Sequence, residues 1–207
     1  MDGNKPSPIR RSVQTASGRI TYMEQDTGPV ALFVHVVLLN GHLWRHQLAD
    51  LSDIRRCIAV DLLAHGDTEI APDQDVSVTA NAKMLKEFLD ALHIDKVDLV
   101  GNDSGGGIAQ IFAALHLERV RSLPLTDCDT HDNWPPEAFK PFLAMAAAGG
   151  LRGTLAWGPR MNTRNRGVTT VSKHICARWS GPSSARAICN ACSQRLTTSI
   201  RLPLKTA

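Results

Sequence analysis

Acidic side chains are missing from the last third of this sequence. All 20 aspartates and glutamates lie at or before Glu137, and residues 1–137 carry only 12 lysines and arginines, a net charge of −8. Residues 138–207 carry +11. A basic segment of this kind is typical of nucleic-acid-binding arms. From residue 156 onward, however, only Trp157 and Trp179 are aromatic, too few for base stacking, so a nucleic-acid partner is not expected.

Long hydrophobic runs are also missing. No stretch approaches the roughly 18 consecutive apolar residues that a membrane-spanning helix needs. The opening residues, M-D-G-N-K-P-S-P-I-R-R-S, contain no apolar segment of signal-peptide length. The sequence therefore predicts a cytoplasmic protein with no membrane partner.

The sequence contains five cysteines, an odd number, which argues against a framework of paired disulfides. Cys57 and Cys128 fall inside strand-like runs, which predicts small buried residues that are not nucleophiles. Near the end, Cys189 and Cys192 have a spacing that suits zinc, but the preceding His174 and Cys176 do not have the spacing of a first ligand pair. Neither a metal site nor a cofactor is predicted.

Apolar residues make up 43% of the 207 residues, enough for one sizeable core with an appendage. Strand-like and helix-like patterns alternate along the first 130 residues, after a hairpin signal at Ser17-Gly18. This alternation predicts an α/β fold with a mainly parallel, doubly wound sheet. The expected strands cover 29–35, 55–61, 97–100 and 119–128, and the expected helices cover 39–51, 77–93 and 104–116.

The segment V-D-L-V-G-N-D-S-G-G-G-I-A-Q-I-F-A-A-L-H, residues 97–116, has the most specific pattern. A short apolar strand passes into a helix with apolar residues at helical spacing, the last of them Leu115. Gly101 and Gly105 flank Asp103, and the missing side chains allow two backbones to approach closely. We expect Asp103 to adopt a strained conformation and to face solvent or substrate.

The string V-G-N-D-S-G-G, together with H-V-V-L-L-N-G and D-L-L-A-H-G-D-T upstream, resembles the α/β-hydrolase superfamily. Aspartate in place of serine at the nucleophile position resembles the haloalkane dehalogenase and epoxide hydrolase branch. The resemblance implies a small organic substrate, no cofactor, and a covalent ester on Asp103. It also implies that the main-chain N–H groups of Val37 and Ser104 form the oxyanion hole.

The resemblance also implies an acid and a histidine that complete a triad with the nucleophile. Asp127 matches the position of the acid that follows the next strand in some dehalogenases, and Asp129 is the alternative. His174 is the expected base, because His131 lies too close to the preceding strand for the usual loop. The oligomeric state stays open.

Several positions depart from the family pattern. Val36 and Ala64 stand where glycines are usual, and Ser104 stands where dehalogenases carry a halide-binding tryptophan. The single tyrosine, Tyr22, lies in the N-terminal hairpin, which disfavours epoxide opening by lid tyrosines. Two alternatives remain: a serine esterase that uses Ser104, although Asn102 then replaces a glycine, and a catalytically inactive, truncated remnant.

The domain organisation follows from these patterns. Residues 1–132 are predicted to form the N-terminal part of the hydrolase core, and residues 133–155 the start of a helical lid. Trp134, Phe139 and Phe142 are possible pocket walls of that lid or members of its buried face. Residues 156–207 form a basic tail in which neither a helical nor a strand-like periodicity is recognisable. We interpret this tail as an out-of-register or otherwise scrambled sequence, which leaves the sheet incomplete at the C-terminus.

Overall fold

The computed structural model describes residues 7–128 and 137–148 of the chain. The strands in these ranges are β1 (Ile9–Thr15), β2 (Gly18–Gln25), β3 (Val30–Val34), β4 (Arg56–Val60), β5 (Val97–Asn102), β6 (Val120–Ser122) and β7 (Leu125–Thr126). The α-helices are α1 (Arg45–Leu51), α2 (Val78–Ala91), α3 (Ser104–Leu115) and α4 (Lys140–Ala147). One-turn 3₁₀ segments cover Gly41–Trp44, Leu117–Arg119 and Glu137–Phe139.

The strands form one sheet in the order β1-β2-β4-β3-β5-β6, with β7 also beside β5. β3 is parallel to both β4 and β5, and β5 is parallel to β6 and β7, whereas the hairpin of β1 and β2 adds antiparallel strands at one edge. This topology confirms the predicted mainly parallel α/β sheet. The hairpin turn lies at Ala16 and Ser17, because Gly18, with φ of +117°, already pairs with Thr15.

β3 lies at the centre, and all five of its residues are buried. Its side chains alternate between two apolar layers, as expected for a strand covered on both faces. Leu32 and Val34 join the layer beneath α2 and α3, whereas Ala31 and Phe33 join the layer beneath α1. Helices on both faces therefore hold the carboxyl end of β3 between β4 and β5.

Helix α2 begins where the sequence predicts. The Ser77 hydroxyl accepts a hydrogen bond from the Ala80 N–H at 3.1 Å, which satisfies one of the free N–H groups at the helix start. The apolar residues that recur at helical spacing along α2 are buried at Val78, Ala82, Leu85 and Leu89, and Leu92 after the helix is partly buried. None of the helices within the described residues is long and apolar enough to cross a membrane.

The strand predicted over residues 119–128 is split into β6 and β7 by Pro124. Proline has no N–H to donate to a sheet, but the Pro124 carbonyl accepts a hydrogen bond from the Gly101 N–H at 3.1 Å. Leu115, the last of the apolar residues at helical spacing in α3, is 48% exposed. Leu115 is the last residue of α3, where the helix no longer lies over the core.

Candidate active site

Asp103 is the single residue between β5 and α3. Its φ of 51° and ψ of −126° are rare for a residue with a side chain, and backbone strain of this kind costs about 1–3 kcal/mol. The Asp103 carbonyl accepts hydrogen bonds from the N–H groups of Gly106 and Gly107, at 2.9 and 3.3 Å, so the strained residue begins the helix. The side chain is half-buried, at the carboxyl edge of the sheet.

The glycines around Asp103 permit close backbone contact between α3 and the sheet. A Cβ atom on Gly105 would overlap the carbonyl oxygens of Val34 and His35. A Cβ atom on Gly101 would lie 2.7 Å from the Gly106 Cα. These contacts agree with the predicted reason for the glycine pattern, which is that any side chain would push the first turn of α3 away from β3 and β5.

The Asp103 carboxylate lies at the N-terminus of α3, the positive end of the helix dipole. Its Oδ1 accepts a hydrogen bond from the Ser104 N–H, one of the two predicted oxyanion donors. The Asp103 N–H donates to the Thr126 carbonyl at 3.2 Å and ties the turn to β7. One carboxylate oxygen is thus held by the main chain.

The second predicted oxyanion donor is engaged by a side chain. The Val37 N–H donates to the Ser104 hydroxyl oxygen at 2.8 Å, and the Ser104 side chain is fully buried. Val36, which replaces the usual glycine, does not adopt a positive φ; Leu38 does, at 69°. The loop after β3 therefore places its left-handed residue two positions later than the glycine of the family pattern.

Asp127 lies beside Asp103 at the same edge of the sheet. Asn102 pairs with Thr126 in register, so each aspartate follows directly after a paired strand residue. The Asn102 amide donates to the Thr126 carbonyl oxygen at 3.0 Å and to its hydroxyl at 3.2 Å. Asp127 is exposed and has φ of 50°, close to that of Asp103.

The remaining sequence predictions about the site fall outside the described residues. They are the base His174, its alternative His131, the alternative acid Asp129, the possible zinc ligands Cys176, Cys189 and Cys192, and the lid residue Trp134. Phe139 and Phe142 lie at the start of the predicted lid and stack on each other, with ring centroids 4.9 Å apart.

Cys57 is buried in β4 as predicted, but the prediction for Cys128 is wrong. Cys128 follows β7 instead of lying within a strand, and it is half-buried. Its thiol packs against Gly106 and donates weakly to the Gly101 carbonyl oxygen at 3.6 Å. Burial is the main cause that raises the pKa of this thiol, which keeps it protonated and disfavours a nucleophilic role.

A second aspartate, Asp61, follows β4 and is only 1% exposed. Its carboxylate accepts hydrogen bonds from Arg10 at 2.6 Å, from the Gly41 N–H at 2.8 Å and from the Asp67 N–H at 3.1 Å. Burial raises the pKa of this carboxyl group, against the effect of these donors. Gly66, with φ of 55°, lies so close that a Cβ atom would overlap the carboxylate.

Within residues 7–128 and 137–148, no group of three or more histidine, cysteine, aspartate or glutamate side chains is placed to hold a metal.

His35 and His65 are buried next to the loop that carries Val37. The His35 Nδ1–H donates to the Val36 carbonyl at 2.8 Å, and the His65 Nδ1–H donates to the Leu63 carbonyl at 2.9 Å. Burial lowers the pKa of His35 to about 4 and that of His65 to about 3, so both imidazoles are neutral at pH 7. The His35 imidazole therefore packs in the interior and bonds the main chain.

A solvent-open groove of about 350 Å³ lies over the hairpin, away from Asp103. Its lining arginines are paired with acidic neighbours: Arg10 with Asp67 at 2.7 Å and Arg19 with Glu69 at 3.2 Å. Because these charges compensate each other, we do not assign the groove to a substrate.

Comparison with known proteins agrees with this geometry. Residues 29–168 match the family described as the alpha/beta hydrolase fold, and the chain belongs to this family. It is similar to a haloalkane dehalogenase of Mesorhizobium japonicum, 33% identical over 126 residues, which are 58% of this chain and 40% of the relative. It is also similar to epoxide hydrolase 2 of Siraitia grosvenorii, 42% identical over 100 residues, which are 47% of this chain and 31% of the relative.

Among solved structures, the chain is similar to the haloalkane dehalogenase DatA from Agrobacterium tumefaciens C58, with a TM-score of 0.75 and 21% identity. That similarity covers 96% of this chain and 77% of the other, and it shows the fold alone. The chain spans about 40% of the length of the curated dehalogenases that it matches.

Proposed function

We propose that this chain carries the nucleophile of a hydrolase that acts on a small organic substrate through a covalent ester on Asp103. The observation that carries the proposal is the position of Asp103 in the strained turn between β5 and α3. The carboxylate is half-buried, and within the described residues its hydrogen bond comes from the Ser104 N–H to Oδ1, which leaves Oδ2 for attack. A main-chain N–H that orients one carboxylate oxygen is the arrangement that such a nucleophile needs.

In the first step, a carboxylate oxygen of Asp103 forms a bond to a saturated carbon, and the bond from that carbon to its leaving group breaks. The leaving group departs as an anion, such as halide, with the bonding electron pair. The product is an alkyl ester of Asp103. No proton is transferred in this step, which makes a halide a suitable leaving group.

In the second step, water adds to the ester carbonyl of Asp103 while a base removes its proton. Negative charge then develops on the carbonyl oxygen, where the Ser104 N–H is positioned to stabilise it. Collapse of the adduct releases the alcohol, which takes up the proton held by the base. The carboxylic acid formed on Asp103 then loses the second proton of the water to solvent, which restores the carboxylate. We propose His174 as the base and Asp127 as the acid that orients it.

A dehalogenase-like reaction is favoured over epoxide opening because the single tyrosine is unsuited to activate an epoxide oxygen. Tyr22 is 5% exposed in β2 and packs edge-on against Phe88, with ring centroids 5.1 Å apart. Burial is the main cause that raises the pKa of its hydroxyl. Its ring therefore belongs to the core beneath α2 and lies away from the Asp103 turn.

The esterase alternative receives less support from the geometry. The Ser104 hydroxyl is fully buried and accepts the Val37 N–H, whereas a nucleophile must be accessible and bonded to a base.

We also propose the division of the chain into a core over 1–132, the start of a lid over 133–155 and a basic tail over 156–207. Within the described residues of the range 133–155, α4 is the helix that is longer than one turn.

The test is mass spectrometry of the full chain after incubation with a short primary bromoalkane. We expect a mass increase of one alkyl group, located by peptide mapping on Asp103. Asp103→Asn removes the nucleophilic carboxylate at constant shape and should abolish the adduct. Asp50→Asn, at an exposed position of α1, is the matched control and should leave it unchanged.

Two other outcomes would overturn the proposal. An acyl group on Ser104 after incubation with an activated phenyl ester, without alkylation of Asp103, would identify a serine esterase. No adduct and no turnover with either reagent would identify a non-catalytic chain.

A further inference from the structure

Two buried histidines lie side by side at the carboxyl edge of the sheet. His35 directly follows β3, and His65 lies in the turn after β4. Their ring centroids are 5.2 Å apart and the rings meet at 63°. Both side chains are at most 2% exposed, although neither is used in the proposed reaction.

The hydrogen bonds of the two imidazoles cross between the two loops. Each Nδ1–H donates to a carbonyl of its own loop, that of Val36 or Leu63. Each Nε2 accepts an N–H from the other loop: His35 accepts that of Leu62 at 3.1 Å, and His65 accepts that of Leu38 at 3.3 Å. The partners thereby define the same neutral tautomer for both rings.

We propose that His35 and His65 are a pair of positioning residues, whose crossed hydrogen bonds hold the loop carrying the Val37 N–H against the turn that follows β4. A neutral imidazole suits this task because it presents a donor and an acceptor on opposite sides of one rigid ring. Asparagine and glutamine carry both groups at one end. Each histidine therefore bridges two main-chain segments with a single side chain.

The pair works only while both rings are neutral, because a protonated Nε2 becomes a donor and faces an N–H. Burial keeps the pKa of both rings low, and the His35 ring further disfavours a charge on His65. The charged group that faces His65 is Asp61, whose negative charge partly opposes the lowering of the His65 pKa. The Asp61 carboxylate is itself paired with Arg10. Asp67 contacts Asp61 through its N–H and Arg10 through its carboxylate.

The consequence for catalysis rests on the proposed function. Val37 lies between the two bonded positions, His35 and Leu38, and its N–H reaches the Ser104 hydroxyl next to the nucleophile. If the crossed bonds position this N–H, their loss should move it even though its own acceptor is intact. A histidine that only fills space would not have this effect.

The first test needs no variant. In the ¹⁵N-histidine-labelled full chain, two of the eight histidines should show a protonated Nδ1 and an unprotonated Nε2, and both should keep this state from pH 7 to pH 5. Assignment comes from the single variants His35→Gln and His65→Gln, each of which removes one signal. A ring that carries its proton on Nε2, or that titrates near pH 6.5, would overturn the proposal.

The second test measures amide hydrogen exchange in His65→Leu, which fills the space but removes the acceptor. We expect exchange at Leu38 to rise about tenfold, the equivalent of one buried hydrogen bond, and exchange at Val37 to rise with it. His65→Gln places an oxygen near the former Nε2 and should restore protection. His46→Gln, at an exposed position of α1, is the control.

Unchanged exchange at Val37 in His65→Leu, in a chain that folds, would show a structural role only and overturn the proposal. If His65→Leu does not fold, the tautomers in the unmodified chain decide. Where the unmodified chain turns over bromoalkane, His65→Leu should lower kcat and leave KM unchanged. If the unmodified chain shows no turnover, the proposed function fails, while the tautomer and exchange measurements still decide the positioning role.

Discussion

Two aspartates follow the two strands on either side of β3, and the structure treats them in opposite ways. Asp61, after β4, is 1% exposed and accepts hydrogen bonds from one arginine and two main-chain N–H groups. Asp103, after β5, is half-buried, and the hydrogen bond to its side chain comes from the neighbouring Ser104 N–H. The two carboxylates therefore differ in how much acceptor capacity is left for a ligand.

The difference shows what separates a structural carboxylate from a chemical one. The oxygens of Asp61 hold together β1, the 3₁₀ segment at Gly41 and the turn at Asp67, so its loss leaves the buried Gly41 N–H and two partly buried donors without this acceptor. Asp103 holds only the first residue of its own helix through its side chain. Its position is maintained by main-chain bonds and by glycines that tolerate no Cβ atom.

The largest expected effect is the difference in stability between two variants that carry the same isosteric change, Asp61→Asn and Asp103→Asn. Asp61→Asn places an NH₂ group against main-chain donors and removes the charge that faces Arg10, so we expect the free energy of unfolding to fall by about 2–3 kcal/mol. Asp103→Asn keeps an oxygen for the Ser104 N–H and should change the free energy of unfolding by less than about 0.5 kcal/mol. Urea denaturation of both variants measures the difference.

The control for this comparison is Asp50→Asn, on the exposed face of α1. Equal losses of stability at Asp61 and Asp103 would contradict the distinction between them.

A smaller effect is expected from pH, because neutral histidines are buried beside Asp61. The native pKa of His65, about 3, lies below its ordinary value of 6.5, so the unfolded chain binds more protons between these values and stability falls as the pH drops through this window. Between pH 6.5 and 5.5 the loss due to His65 is about 1 kcal/mol. The measurement is the pH dependence of unfolding in the unmodified chain and in His65→Gln.

In His65→Gln this part of the acid sensitivity should disappear. Asp61 acts in the opposite direction, since a carboxyl whose native pKa is raised favours the folded state as the pH falls, and it is present in both proteins. Identical pH profiles would show that His65 titrates normally and would contradict its buried, neutral state.

An effect of about the same size is expected at Ser104, and it tests how the Asp103 turn is held in place. Ser104→Ala removes the acceptor of the Val37 N–H, and we expect the free energy of unfolding to fall by about 1 kcal/mol. Amide exchange at Val37 should rise at the same time. Ser12→Ala, at an exposed position of β1, is the control and should change neither quantity.

Much of the fold follows from local patterns in the sequence. The apolar run that forms β3, the Ser77 cap of α2 and the glycines around Asp103 each have a local physical cause, and each is present in the structure. The right-handed crossover rule then leaves few ways to arrange these elements. The α/β sheet was predictable because its signals lie within single elements.

The failures involve contacts between distant segments. Leu115 has helical spacing, but whether a helix end lies over the core depends on the neighbouring strands. The bond from the Val37 N–H to the Ser104 hydroxyl joins residues 67 positions apart, and nothing in either local segment indicates it. The sequence does not indicate the crossed hydrogen bonds of His35 and His65 for the same reason, since each histidine by itself resembles an ordinary buried core residue.

The sequence by itself determined the order of strands and helices, the sharp turn at Asp103 and the family to which the chain belongs, because periodicity and glycine placement act over a few residues. Only the tertiary structure decided which carboxylate accepts three hydrogen bonds from other segments and which, within the described residues, accepts one from its neighbour. The reason is that hydrogen-bond partners such as Arg10, Gly41 and Asp61 are 20 or more residues apart in the chain and meet only when the sheet has formed.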